Sequence, residues 1–207
     1  MKVLLINGSP KAKGCTYTAL SEVAKELEKE NIETEIFHVG NKPIRGCIGC
    51  GGCANTDGKC VFDDDTVNTG LEKAKTADGF IFGSPVHYAA ASGLITSFLD
   101  RFFYAGDGFQ YKPGAAVVSC RRGGSTSAFE QLNKYFTIAN MPVVSSQYWN
   151  MVHGNTPNEV RQDLEGMQTM RTLGRNMAWL LKCIEAGKKA GISIPEGEAR
   201  VSTNFIR

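Results

Sequence analysis

Short unbroken apolar runs alternate along the chain with longer segments in which apolar residues recur every three or four positions. The runs read as strands covered on both faces, and the stripes as helices with one apolar side. Residues 2–7 predict a buried strand, and residues 16–30 a helix whose stripe is Ala19, Leu20, Val23, Ala24 and Leu27. A second strand follows at 33–39, after which Asp65 or Thr66 can cap a helix running to Lys75. Residues 79–83 predict a third buried strand, and 90–103 a helix burying Leu94, Ile95, Phe98 and Leu99. The pattern continues with a strand at 115–120, a helix at 126–138 and a fifth strand at 142–146. One last long helix, 158–186, places Val160, Leu164, Met167, Met170, Met177, Leu181 and Ile184 near one face.

Strand-helix repetition of this kind predicts an α/β fold, a doubly wound five-stranded parallel sheet in a three-layer α/β/α arrangement. At 207 residues the chain suits one domain with a core of good size. That domain is expected to span 1–190, with a cysteine-rich insertion at about 45–62 and a C-terminal tail at 191–207.

Charge narrows the function by exclusion. The 23 Lys and Arg nearly balance the 21 Asp and Glu, and a net charge of +2 offers no basic face for nucleic acid. The apolar run at 79–85 is far too short to span a bilayer, so no membrane role is expected. Val3-Leu4-Leu5-Ile6 runs straight into Asn7-Gly8-Ser9-Pro10 without a signal-peptide core and cleavage site. Seven cysteines, an odd number, fit a reducing compartment better than a disulfide framework, and the protein is expected to be cytoplasmic.

In an open parallel sheet, ligands bind outside the carboxyl ends of the strands. The first such loop is Gly8-Ser9-Pro10-Lys11-Ala12-Lys13-Gly14-Cys15-Thr16, with hydroxyls at Ser9 and Thr16 and a helix N-terminus for an anion. It lacks the Gly-Lys-Ser/Thr ending of a nucleotide P-loop and the spacing of a dinucleotide loop, which favours a monophosphate. A plain strand-helix turn capped by Thr16 is the bland alternative. The second loop, Ser84-Pro85-Val86-His87-Tyr88, and the third, Cys120-Arg121-Arg122-Gly123-Gly124-Ser125, can offer backbone groups and a cover to a flat polar ring. A flavin mononucleotide (FMN) has both a terminal phosphate and a flat ring.

Four further cysteines, Cys47, Cys50, Cys53 and Cys60, are spaced C-x2-C-x2-C-x6-C. Soft thiolates this close make an iron-sulfur centre the first candidate, and Gly46, Gly49, Gly51 and Gly52 would let the backbone wrap a bulky core. Zinc sites more often split into two separated C-x2-C pairs. A metal-free cysteine loop and a redox disulfide between Cys47 and Cys50 are the other readings. Cys120 and Cys183 are expected to be buried apolar residues.

With Gly8-Ser9-Pro10, Gly14, Thr16, Ser84-Pro85-Val86, Phe98-Leu99-Asp100-Arg101, Gly123-Gly124 and the cysteine motif in hand, the chain resembles the flavodoxin-like NADPH-dependent FMN reductases. Within them it is similar to the iron-sulfur flavoproteins, over nearly its whole length. The resemblance implies a flavodoxin-like fold and an FMN whose phosphate is held by Ser9, Lys11, Thr16 and the backbone of Gly14 and Cys15. It places Pro85, Val86, His87 and Tyr88 along the isoalloxazine, and Arg122, Gly123 and Gly124 at its other side. Cys15 stands where the family commonly has Asn, which removes an amide hydrogen bond but leaves the backbone nest. A [4Fe-4S] cluster on Cys47, Cys50, Cys53 and Cys60 is implied in the same way.

The function this suggests is an FMN-dependent oxidoreductase moving electrons between NAD(P)H, or a ferredoxin-like donor, and a small-molecule or protein acceptor such as a quinone. No acid or base catalyst is needed, because the redox chemistry belongs to the flavin. A non-enzymatic iron-sulfur and FMN electron carrier or redox sensor is the alternative. The resemblance also implies a homodimer or homotetramer, with Tyr148, Trp149 and His153 and the aromatic stretch from Phe102 to Tyr111 as suspected interface residues.

Overall fold

Strands that are apolar on both faces are stable only between two layers of cover. The computed structural model, which describes residues 1–199 and 201–205, has that arrangement. The strands are β1 (Lys2–Asn7), β2 (Glu33–His38), β3 (Gly79–His87), β4 (Ala90–Ala91), β5 (Gly114–Cys120) and β6 (Met151–His153). The helices are α1 (Cys15–Lys29), α2 (Val67–Ala74), α3 (Gly93–Ala105), α4 (Ser125–Ile138), α5 (Pro157–Gln162) and α6 (Leu164–Lys189). The order β2-β1-β3-β5-β6 is parallel throughout, and the two-residue β4 returns antiparallel on the end of β3. This is the three-layer, flavodoxin-like α/β/α fold.

Alternation along the strands divides the interior in two. Leu4, Ile6, Phe80, Phe82, Ala116 and Val118 face α2, α3 and α4. Val3, Leu5, Ile81, Ala115 and Val117 face α1 and α6. The first of these layers is rich in phenylalanine. Phe82 stacks on Phe136 with centroids 4.7 Å apart, and meets Phe102 and Phe103 edge-on at 6.2 and 5.8 Å. Gly83 lets α1 lie close to β3, since a Cβ there would stand 2.8 Å from both Leu20 and Thr16 side chains.

The structure departs from the sequence pattern in three places. The fifth parallel strand is Met151–His153, not 142–146. Val143 makes only an isolated bridge to Gly114, because Ser146 folds its hydroxyl onto the Tyr148 carbonyl and the Asn150 amide oxygen and turns the chain away. The last helix is broken at Asp163, whose backbone (φ −74°, ψ 81°) leaves α5 while its carboxylate accepts the Gly166 N–H at 2.9 Å and starts α6. Leu164 therefore begins a helix and is exposed rather than buried. Finally, β3 runs on from Gly83 to His87, and α3 starts only after Ser92.

Cys120 is buried as expected, whereas Cys183 lies on the outer face of α6 and is exposed. Of the expected tail at 191–207, residues 200, 206 and 207 lie outside the described residues. Among the described residues no helix is long and apolar enough to cross a membrane.

Because Phe82 joins the central strand to two helices at once, Phe82→Ala is expected to destabilise the fold by about 3–5 kcal/mol. Urea denaturation followed by far-ultraviolet circular dichroism measures this. A loss under about 1 kcal/mol would mean that the ring cluster can repack around the gap.

Candidate functional site

The three loops that follow β1, β3 and β5 meet at one edge of the sheet. Each emerges there because parallel strands all point the same way. Gly8 donates its N–H to the Gly83 carbonyl at 2.8 Å, and its own carbonyl accepts the Ser92 hydroxyl at 2.7 Å. Ser92 then donates its N–H to the Ser84 hydroxyl at 3.0 Å and caps α3 by accepting from Ile95 at 3.3 Å. Gly124, at φ +85°, brings the third loop against the second, where a Cβ would stand 2.9 Å from Val86. Ser127 adds a hydroxyl bond to the Ala89 carbonyl at 3.3 Å.

Within the first loop, Ser9 is buried and fixed at three atoms. Its N–H donates to Asn7 Oδ1 at 3.1 Å, its hydroxyl accepts the Lys11 N–H at 3.1 Å, and its carbonyl lies 2.8 Å from His38 Nε2. The Ser9 hydroxyl hydrogen is left to point elsewhere. Gly14 is the N-cap of α1, and among the described residues no side chain caps that helix. Its backbone is extended (φ −85°, ψ −163°), open to any residue, so the glycine is explained by a close approach: a Cβ would lie 3.0 Å from that of Lys11. The first N–H groups of α1 have no intrahelical acceptor and carry the positive end of the helix dipole. That chemistry fits a phosphate.

Thr16 is less free than the sequence suggests, because its hydroxyl is paired with that of Ser119 at 2.8 Å. Cys15 is half-buried and reaches the Gly154 carbonyl at 3.7 Å, and burial pushes its thiol up. Lys11 is exposed. Pro85 and Val86 are half-buried at the root of the β3-β4 hairpin, while His87 and Tyr88 stand exposed at its tip. Tyr88 has φ +59°, uncommon for a residue with a side chain. Arg121, Arg122, Gly123 and Gly124 are exposed beside it.

The cysteine segment is a second candidate site. Cys47, Cys50, Cys53 and Cys60 all line one cavity of about 170 Å³, walled by Ile48, Val61, Phe62 and Tyr104. Among the described residues no disulfide is present, and no three metal-ligating side chains converge as a single ion would require. Gly49 and Gly51, at φ +63° and +69°, curl the backbone on either side of Cys50. A Cβ on Gly52 would strike Val61 at 2.8 Å and stand 3.5 Å from the Cys50 sulfur. Asn68 fixes the far end of the segment, accepting the Cys60 N–H at 2.8 Å and donating to the carbonyls of Cys60 and Phe62 at 2.9 and 3.3 Å.

Arg101 closes the base of the cavity. Its Nε donates to Cys60 Sγ at 3.2 Å, and its Nη atoms to the carbonyls of Arg45 and Phe62 and to the Asp65 carboxylate. Burial works against its charge, but the bonds to Cys60 and Asp65 outweigh that and hold its pKa above the ordinary value.

Asn7, Ser92, Ser119, Asn68 and Arg101 are thus site residues to which the sequence reading gave no role. A polar residue ending an apolar strand (Asn7) and a serine just before a helical stripe (Ser92) are signals that could have found two of them.

Fold and loops together define a class, the flavodoxin-like proteins that bind FMN and carry out oxidation-reduction or electron transfer. The chain belongs to the NADPH-dependent FMN reductase family, whose pattern matches residues 1–156. It is 36% identical over 194 residues to an iron-sulfur flavoprotein of Methanocaldococcus jannaschii, an alignment covering 89% of this chain and 100% of that protein. An iron-sulfur flavoprotein of Archaeoglobus fulgidus is 31% identical over 176 residues, covering 83% and 86% of the two chains. The solved structure of RosB with a bound 8-demethyl-8-formylriboflavin-5'-phosphate intermediate matches with a TM-score of 0.67 at 16% identity, over 100% of this chain and 94% of that one. At that identity it supports the fold alone.

Ser92→Ala would leave the buried Gly8 carbonyl without its donor and cost about 1–3 kcal/mol. Hydrogen exchange resolved by peptide should then speed up in both the 8–16 and 84–92 segments. Faster exchange in only one of them would mean that Ser92 does not couple the loops.

Proposed function

We propose that this chain is an iron-sulfur flavoprotein, an FMN oxidoreductase that also carries a [4Fe-4S] cluster on Cys47, Cys50, Cys53 and Cys60. The observation that carries the reading is that all four sulfur-bearing residues of the motif line a single cavity. The irons of a cubane occupy separate corners, so its ligands ring a volume and need not converge on a point, as those of zinc must. When bound, FMN supplies two-electron exchange with a hydride donor, and an iron-sulfur cluster supplies single-electron steps.

The residues divide the work. Ser9, Lys11, Thr16 and the amides of Gly14 and Cys15 hold the FMN phosphate, with the Asn7 and Ser119 bonds fixing Ser9 and Thr16 in place. Pro85, Val86, His87 and Tyr88 line one side of the ring, and Arg122, Gly123 and Gly124 the other. The exposed hairpin tip leaves room for NAD(P)H or a small acceptor such as a quinone to approach. One observation favours a ferredoxin-like protein donor as well: Cys47 and Cys50 are exposed, and Ile48 between them is 63% exposed, so a partner surface can reach the centre.

Protein prepared under strict anaerobiosis is expected to hold about one FMN, four iron and four sulfide per chain. Cys53→Ser should lose most of the iron and keep most of the FMN. Flavin without iron or sulfide would sink the cluster and leave the reductase. Repeated turnover of NADH or NADPH with a quinone supports the enzyme, whereas reduction by ferredoxin alone supports a carrier. Failure to bind FMN at all would overturn the whole assignment.

A further inference from the structure

The flavin site gives Arg101 no task. It lies in the second half of α3 with its side chain 1% exposed, facing the cysteine cavity. A buried guanidinium needs partners, and Asp65, 7% exposed, already supplies the opposite charge. Yet Nε is spent on a sulfur, Cys60 Sγ at 3.2 Å. Neutral thiols are weak acceptors, but a thiolate bound to metal carries negative charge and accepts strongly. The remaining donors go to the Arg45 carbonyl at 3.2 Å and the Phe62 carbonyl at 2.7 Å. Those two residues flank the motif, one ahead of Cys47 and one just after Cys60. A single side chain thus ties both ends of the ligand segment to a helix of the core.

We propose that Arg101 is a positioning residue of the cysteine centre, clamping both ends of the ligand segment to α3 and directing a charged N–H at the Cys60 sulfur to raise the centre's reduction potential. The inference rests on the cluster reading above. A hydrogen bond to a ligating sulfur draws electron density from it and favours the more negative, reduced state. Asp65 opposes this by cancelling part of the guanidinium charge. The two residues therefore pull the potential in opposite directions, which separates tuning from mere damage.

The test uses the anaerobically purified holoprotein, with FMN, iron and sulfide counted and the potential read by redox titration monitored by electron paramagnetic resonance. Arg101→Gln is expected to shift the oxidised-to-reduced ratio at a fixed potential at least tenfold toward oxidised, about 59 mV for one electron, with FMN retained. Asp65→Asn should shift it the other way, and Arg101→Lys should fall between Arg101→Gln and the wild type. An unchanged potential in Arg101→Gln, or shifts of the same sign in Arg101→Gln and Asp65→Asn, overturns the inference while the cluster reading stands. Wild-type protein with FMN but no iron overturns both. Should Arg101→Gln lose its FMN along with iron, the Asp65→Asn titration decides: an upward shift supports the proposal, and none or a downward one ends it.

Discussion

A central parallel strand has its hydrogen-bonding groups taken on both sides, so it cannot move without moving both neighbours. In this protein β3 is that strand, paired to β1 from Gly79 to Gly83 and to β5 from Phe80 to Pro85. Both faces are buried, and a slip of one residue would exchange Phe80 and Phe82 for Ile81 across the sheet. The position of Gly83 is fixed by this lock. Through the bond from Gly8, so is the start of the first loop; through Ser84 and Ser92, so is the start of α3. The loops at the carboxyl edge inherit their order from the strand and need little rigidity of their own.

Helix α3 carries that order a second distance. Its first turn belongs, through Ser92, to the edge where the three loops meet, and its second half, through Arg101, to the cysteine cavity. Phe98 and Phe102, stacked at 5.5 Å, bury the helix between those ends against the aromatic layer. The helix is thus a rigid spacer between two candidate redox sites, and Phe102, which helps to make it so, also meets Phe80 and Phe82 of β3 edge-on. Core packing and the placement of both sites are one problem here.

Much of this could be read from the sequence because burial on both faces leaves an unmistakable apolar run. The strands at 2–7, 79–83 and 115–120 are such runs and are found where expected. Met151–His153 is too short to stand out, and the more apolar Pro142-Val143-Val144 beside it is turned away by a serine hydroxyl, a long-range outcome with no periodic signature. The break at Asp163 hid in a continuous helical stripe because a cap inside a stripe looks like one polar position among many. At the site, residue types that announce chemistry were visible, the four cysteines and the glycine-rich loops. Ser119 and Arg101 gave no sign of their roles, since their partners lie 103 and 41 positions away along the chain.

Residues 40–66, all of them described, include no buried apolar residue. A stretch of that length with so little buried apolar surface offsets only a small part of its ordering entropy by the hydrophobic effect. Ile44, Cys53 and Cys60 pack half-buried against the core, and the remaining ties are polar and come from its ends: the Arg101 bonds at Arg45, Cys60, Phe62 and Asp65, the Asn68 bonds at Cys60 and Phe62, and the Thr66 hydroxyl on the Val39 carbonyl. The middle of the stretch, where Cys47, Cys50 and Cys53 lie between left-handed glycines, has far fewer such ties. Metal-thiolate bonds supply in small coreless segments the order that burial supplies elsewhere, and four cysteines around one cavity are the residues such bonds require. On this argument the cluster of the proposed function is a structural element of the segment as much as a redox one. The guanidinium beneath it is then the point at which that local order is transmitted to the core.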